Sequence, residues 1–565
     1  MNRREAIKRT AMTMGGLAFV PGALSVFTGC TPGNRGSMSR RGSIIDSMSD
    51  LMVIDSVSVL CCTPGVDGET AFLAGYRKAD DGGGSEIYWD SECTDTADDG
   101  MVFKVDGVTK GRWRRPEVGY INVKWFGARG DGVFKSGIDN EVHVFDKCLD
   151  WISKNKVKKI YVPEGLYILE HGLYTQIDSK HNGLELYGDG ETSELKFSDR
   201  INRDNPACLW MISWATKKTT GLPLEDMYIH DLKFNGNRQG HKIPMEGGNT
   251  GYALWVNGQP NLPKGEESKN IRIERVHTCN HNTSGLSIRT SNTVVKDCRT
   301  WGHFQHGVET HNDAKDVLVD GLIAWKCGNK ITNTGYGVDF SSGENLKLTN
   351  FEIYDCWAGF KTSVNIKSVE ITNGIFRDNW GRGLQQTSVP NSGYTLRIDN
   401  VISQNNPGGN RFDDMKSLSI GTFISRNDGN ADNAAILVNN NVRKFHADSL
   451  EIYDAKGMAL RVFTHGAIIE HIVINGASGS GIQGKHGGNH LNVNGGVIDR
   501  IDGDMVHARG SESYFKLTNI EFIGPVGIRV DPGSTVDVIG CDFTKVSTSN
   551  TGGGMVKFDS TSKIN

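Results

Sequence analysis

The stretch WGHFQHGVETH, residues 301–311, ends in a five-residue unit, HGVET, that recurs along the chain. Its relatives are SGLSIR (284–289), YGVDF (336–340), AGFKT (358–362), RGLQQT (382–387), NRFDD (410–414), MALRV (458–462), SGIQG (480–484), DMVHA (504–508) and VGIRV (526–530). In each, one variable residue sits beside or between apolar or small ones: Ser287, Glu309, Asp339, Lys361, Gln385, Asp413, Arg461, Gln483, His507 and Arg529. AAILV (434–438) fills the long interval between Asp413 and Arg461. A period of about 22–24 residues with no helices between short strands specifies a β-solenoid. In such a coil each strand pairs with its equivalent one turn later, about 4.8 Å away. Side chains alternate across the strand, so the flanking apolar residues point inward and the variable residues form one outward ladder.

The rest of the chain arranges itself around that repeat. It has 565 residues, 37% hydrophobic and 23% charged, in the range of folded proteins. A formal charge of −4 and a pI near 6.5 provide no electrostatic footprint for nucleic acid as a partner. Residues 1–29 read as an export signal: MNRREAIKRT is basic, AMTMGGLAFVPGALSVF is apolar, and FTGC ends in small residues before Cys30. This resembles a bacterial lipoprotein signal, with RREAIK similar to a twin-arginine motif. It implies acylation at Cys30, a flexible tether over 30–50, and anchoring in the cell envelope with no other membrane contact. Alternating strands such as VSVL and GMVFKV predict a small β module over 51–120. NEVHVFDKCLDWISKNK carries apolar residues at helical spacing and predicts one helix, Val142–Ser153, capping the start of the solenoid. The coil is expected over 121–546, followed by a tail, 547–565.

WFGARGDG (125–132), then the helix, then KKIYVPEGLYIL resembles the opening of the pectate lyase superfamily, whose fold is a right-handed parallel β-helix. That group includes polygalacturonase-like hydrolases, pectate-lyase-like enzymes and phage tailspike depolymerases. The front module, with DGGGSEIYWD, resembles a tailspike head region. The resemblance implies an all-β enzyme acting on polysaccharide and leaves the reaction open.

Chemistry is expected in the middle of the ladder, where an acid, acid, base, amide run occupies consecutive turns: Glu309, Asp339, Lys361, Gln385. The intervals widen there, to about 30 before Asp339 and about 28 before Asp413, and extra residues become loops that wall a cleft. Trp301, Trp325, Trp357 and Trp380 lie beside these turns as candidates for stacking on sugars. In a lyase, Lys361 is the candidate base, assisted by His306, His311 or Arg382. A calcium ion on Glu309 and Asp339 would offset their effect on the lysine and bind the substrate acid. Arg289, Arg382, Gln385, Arg411, Asp413, Arg461 and Trp357 are the residues expected to hold an anionic glycan. In a hydrolase, Glu309 and Asp339 form the carboxylate pair, although the Asn-Thr-Asp and Arg-x-Lys motifs of polygalacturonases are missing. A third reading is a non-catalytic glycan binder. A zinc site from His303, His306, Glu309 and His311 is the remaining alternative for the opening stretch. Cys298, Cys327 and Cys356 close equivalent strands and are expected to stack as an internal packing ladder.

Overall fold

The computed structural model describes residues 52–564 apart from 171–172, 201–206, 213–221, 240–250, 259–266, 312–313, 364, 387–392 and 485–489. The expected signal, Cys30 and nearly all of the tether lie outside these residues. Two compact units emerge.

The smaller unit holds one mixed sheet in the strand order Met52–Ile54, Thr70–Leu73, Ser85–Asp90, Arg112–Arg114, Val102–Phe103. The first pair is parallel and the rest antiparallel. Its core is Ile54, Leu60, Leu73, Trp89, Phe103 and Trp113, with the Trp89 and Trp113 rings edge to face at 5.5 Å.

The larger unit is a parallel β-solenoid of about 14 turns among the described residues. One turn supplies Lys269–Glu274, His277–Cys279 and Leu286–Arg289, one strand to each of three faces; the next supplies Ser291–Lys296, Arg299–Trp301 and Val308–Thr310. All three pairs run parallel and in register. The corner between the first and second faces needs a left-handed residue, which Asn and Asp tolerate. Asn350, Asn373 and Asn400 take it at φ 53°, 54° and 52°, and the Asn400 amide donates to Asn373 Oδ1 at 2.9 Å.

The interior follows from the alternation. Leu286, Val308, Val338, Phe360, Leu384, Ile436, Leu460, Ile482, Val506 and Ile528 point inward from the third face, each at most 1% exposed. Burying each such side chain contributes about 1.5–3 kcal/mol. Cys298, Cys327 and Cys356 are buried free thiols whose Sγ–H donates to the carbonyl two residues back, the packing ladder expected.

The helix forms over Glu141–Lys154, with the Asn140 side chain accepting from the Val142 amide at 2.8 Å. It buries Val142, Val144, Phe145, Cys148, Leu149, Trp151 and Ile152, with Phe145 edge to face on Tyr167 of the first turns. Glu141 turns back to accept from the amides of Arg129 and Gly130, which ties WFGARGDG to the helix start. Gly130 sits at φ 63° with Tyr167 where a β-carbon would be, so the loop requires glycine there.

One boundary moves. The stretch 547–565, expected as a tail, continues the solenoid: Asp542–Gly552 and Met555–Phe558 pair in parallel with the preceding turn. Strand hydrogen bonding extends past the last recognisable repeat unit because a parallel ladder needs a backbone to pair with, not a conserved side chain.

Candidate active site

The outward ladder of the third face runs Ser287, Glu309, Asp339, Lys361, Gln385, Arg411, Leu437, Arg461, Gln483, His507, Arg529 by strand register. One expected member is replaced. Arg411, not Asp413, takes the position after Gln385, because Asn410 faces inward, donating to Asp428 Oδ2 and Ala435 O at 3.1 Å. Asp413 falls two residues beyond, past the strand, where its Oδ2 accepts from Arg411 Nε and its Oδ1 from Asn439.

Glu309, Asp339, His306, His311 and Lys361 converge as expected, but in layers. The two carboxylates form the lower layer, 2% and 4% exposed at the side chain. His306 Nε2 bridges them, 3.8 Å from Glu309 Oε2 and 3.6 Å from Asp339 Oδ2. Ser284 Oγ donates to Glu309 Oε2 at 3.0 Å. His311 Nε2 stands 3.0 Å from Glu309 Oε1, and Lys361 Nζ stands 3.7 Å from Asp339 Oδ2. His311 and Lys361, 31% and 20% exposed, are the members that reach solvent furthest.

Burial alone would push the Glu309 carboxyl up. The His311 contact, the charges of His306 and His311 and bonding from Ser287 outweigh it and hold the carboxyl at about 2. Glu309 is therefore a fixed negative charge at any ordinary pH. Two tyrosines complete the cluster. The Tyr336 ring carries His306 stacked on it (5.2 Å, 7° between planes) and Lys361 Nζ 4.8 Å from its centroid. Burial, then the charge of Asp339, push its hydroxyl up to about 12. Tyr252 is pushed up by burial and by Glu309, with Arg289 opposing. Arg289 lies over the Trp255 ring at 5.4 Å. Tyr252, Tyr336 and Ser284 were missed in the sequence. The available signal was position: Tyr336 and Ser284 each stand three residues before their ladder residue, as His306 does before Glu309.

Three expectations fail on geometry. His303 does not join the cluster: it is fully buried, 3.1 Å from Thr278 Oγ1 and beside the His281 ring at 5.5 Å. Burial holds it well below the ordinary histidine range, so the four-residue zinc set does not form. Calcium takes six to eight oxygen ligands. The neighbours of Glu309 and Asp339 are chiefly ring and ammonium nitrogens, and among the described residues no group of three or more potential ligands is placed to hold a metal. The donor set does not fit calcium. The tryptophans do not face a sugar. Trp325 is sandwiched between Trp301 (4.8 Å, 5°) and Tyr354 (6.0 Å, 5°), so its ring faces are covered and only an edge remains. Trp380 bonds Asp355 and carries Lys330 on its ring, and the Trp357 ring covers Gly381 of the next turn.

The remaining candidates form a second group. Arg382 donates to Gly408 O and Asn433 Oδ1, close to Arg411, and Gln385 lies between Lys361 and Arg411 in the ladder. Arg461 is further along, its guanidinium on Met458 Sδ and near Phe463. The wide interval before Asp339 is an exposed loop, 328–334, pinched by an Asn329–Thr334 bridge.

Residues 53–118 match the family described as the phage tail protein small four-stranded β-sheet domain. No curated protein matches the chain. Among solved structures, tailspike protein 2 of the Escherichia coli O157:H7 bacteriophage CAB120 is 15% identical with a TM-score of 0.48. That match covers 74% of this chain and 51% of the tailspike, so the chain spans about half of its length. A tailspike of the Acinetobacter baumannii bacteriophage Fri1, a capsular polysaccharide depolymerase, is 13% identical with a TM-score of 0.37, covering 91% and 75%. The A-module of an Azotobacter vinelandii mannuronan C-5 epimerase, AlgE6, is 14% identical with a TM-score of 0.31, covering 79% and 99%.

Proposed function

We propose that this protein cleaves an acidic polysaccharide by β-elimination at the cluster around Glu309. The observation that carries this reading is the layering: the carboxylates lie beneath, and the groups that reach solvent are the nitrogens of His311, Lys361 and His306. A uronate substrate needs that order. Lys361, with Arg289, meets its carboxylate and so acidifies the proton α to it. His311 takes that proton. Glu309, ionised and beside Nε2, favours the tautomer with hydrogen on Nε2 and leaves Nδ1 as the acceptor. The C–H electron pair becomes the new double bond, and the glycosidic C–O bond at the β carbon breaks. Tyr252 and Tyr336, kept protonated by burial, are the hydroxyl donors the cluster offers to the leaving oxygen. Lys361 thus acts as the cation, and the role of base passes to the histidine.

A carboxylate-pair hydrolase is less well supported. It requires one carboxyl that is protonated near neutral pH and can reach the glycosidic oxygen. Glu309 is held at about 2 and both acids are covered. The test is a panel of uronate polymers read in the ultraviolet: unsaturated product supports elimination, and reducing ends without absorbance overturn it.

The sequence before residue 52 supports a second proposal, a lipid anchor at Cys30 in a bacterial envelope. Cys30→Ser should move the protein from the membrane to the soluble fraction; an unchanged distribution rejects the anchor.

A further inference from the structure

We infer that Arg382 and Arg411 form a second acid-binding subsite, so that the substrate carries acidic groups on successive sugars rather than isolated ones. This rests on the elimination reading for the position of the reacting sugar, and on the following geometry for the rest.

Arg382 lies on the turn that carries Gln385, and its side chain crosses the next turn instead of standing out from its own. A β-carbon at Gly408 would be 2.7 Å from Arg382 Cγ, so the absence of a side chain there makes the channel. The guanidinium then donates to Gly408 O and, one turn further, to Asn433 Oδ1 at 3.4 Å. Asn433 is itself held, donating to Asn430 Oδ1 at 3.0 Å. Both acceptors are neutral. Arg382 makes no ion pair among the described residues, although it is half-buried. Arg411, two turns beyond Lys361 in the ladder, is close enough that its charge opposes that of Arg382. Arg411 has a single carboxylate, Asp413, at 2.5 Å, and Asp413 shares its other oxygen with Asn439. Two guanidiniums against one acid leave a net positive charge held in fixed geometry.

A like-charged pair costs energy when it is half-buried, and a bound anion removes that cost. Guanidinium is suited to carboxylate or sulfate because it offers paired donors in one plane. The site lies one to two turns, about 5–10 Å, from Lys361 along the coil. A glycan lying along the ladder with its reacting uronate at Lys361 therefore presents the acid of a neighbouring sugar here. A polymer with acid on every residue fills both positions; one with acid on alternate residues places a neutral sugar against Arg382.

The test is binding and turnover of polygalacturonate and alginate, acidic at each residue, against hyaluronan, in which acid alternates with a neutral sugar. Wild type should bind at least one of the first two about 10-fold or more tightly than hyaluronan. Arg382→Gln and Arg411→Gln should each raise KM about 10-fold on that polymer, leave kcat within about 3-fold, and erase the preference over hyaluronan. Equal binding of all three polymers, binding of none, or unchanged KM in both variants overturns the inference. A preference that disappears in the variants, with no unsaturated product from wild type, keeps the subsite and rejects elimination instead.

Discussion

His306 and His507 occupy the same kind of place and differ in what surrounds them. Each lies on the third face between two carboxylates. His306 Nε2 faces Glu309 and Asp339; His507 faces Asp504 at 3.7 Å through Nδ1 and Asp531 at 3.1 Å through Nε2. Around His306 the acids are 2% and 4% exposed, and around His507 they are 18% and 28% exposed. The first pair is overlaid by Tyr252, Tyr336, His311 and Lys361. The second has Arg529, half-exposed, 3.9 Å from Asp504 and 4.0 Å from Asp531. An exposed network of that kind contributes little, because water and salt screen it. In the covered cluster the same charges act through a lower dielectric, and each fixes its neighbour. Acid–histidine–acid spacing on a solenoid therefore carries chemical meaning only where another turn covers it.

That contrast is open to direct attack. The largest expected effect is on turnover: His311→Ala should lower kcat by about 10²–10⁴-fold on the substrate polymer. Its melting temperature should stay within about 2–4 °C of wild type. A kcat within a few fold would remove His311 from the chemistry and return the base role to Lys361.

Next is Glu309→Gln, which strips the buried charge from under both histidines. Breaking such an arrangement costs about 3–5 kcal/mol, measurable by denaturant unfolding at neutral pH. The pH dependence has a definite sign. The folded carboxyl is depressed from 4.5 to about 2, so its contribution is fully present above 4.5. It is lost as pH falls through that window, amounting to about 3 kcal/mol. Wild type should lose stability between about pH 4.5 and 2, and Glu309→Gln should show a correspondingly flatter curve. Parallel curves would mean that Glu309 is not held ionised by its neighbours.

The smallest effect belongs to the other histidine. His507→Ala should leave turnover within about twofold and stability within about 1 kcal/mol at moderate salt. A loss of activity comparable to that of His311→Ala would show that the active groove extends to the last turns and that cover is not what distinguishes the two places.

Much of this was legible beforehand for local reasons. The inward row from Leu286 to Ile528, the cysteine stack and the capping helix all follow from residue spacing, since alternation on a strand and periodicity on a helix are properties of the chain itself. The meeting of Glu309, Asp339 and Lys361 followed as well, because in-register stacking brings together whatever the repeat places at one position.

What spacing left open depended on contacts between distant turns. NRFDD could enter the ladder with Arg411 or with Asp413; the buried polar group of Asn410, Ser403 and Asp428 decides it by drawing Asn410 inward. Trp301, Trp325 and Tyr354 each suit a sugar platform when taken singly, yet register stacks them ring on ring and closes their faces. The roles of Glu309 and Asp339 were set by Ser284, Tyr252 and Tyr336, residues from other turns that cover the acids and leave the nitrogens outward. Sequence by itself determined the coil, its period and the row on which charged residues would meet, because those are consequences of side-chain alternation along one strand. Only the tertiary structure decided which of them water can reach, because burial is a property of neighbouring turns and not of the strand that carries the residue.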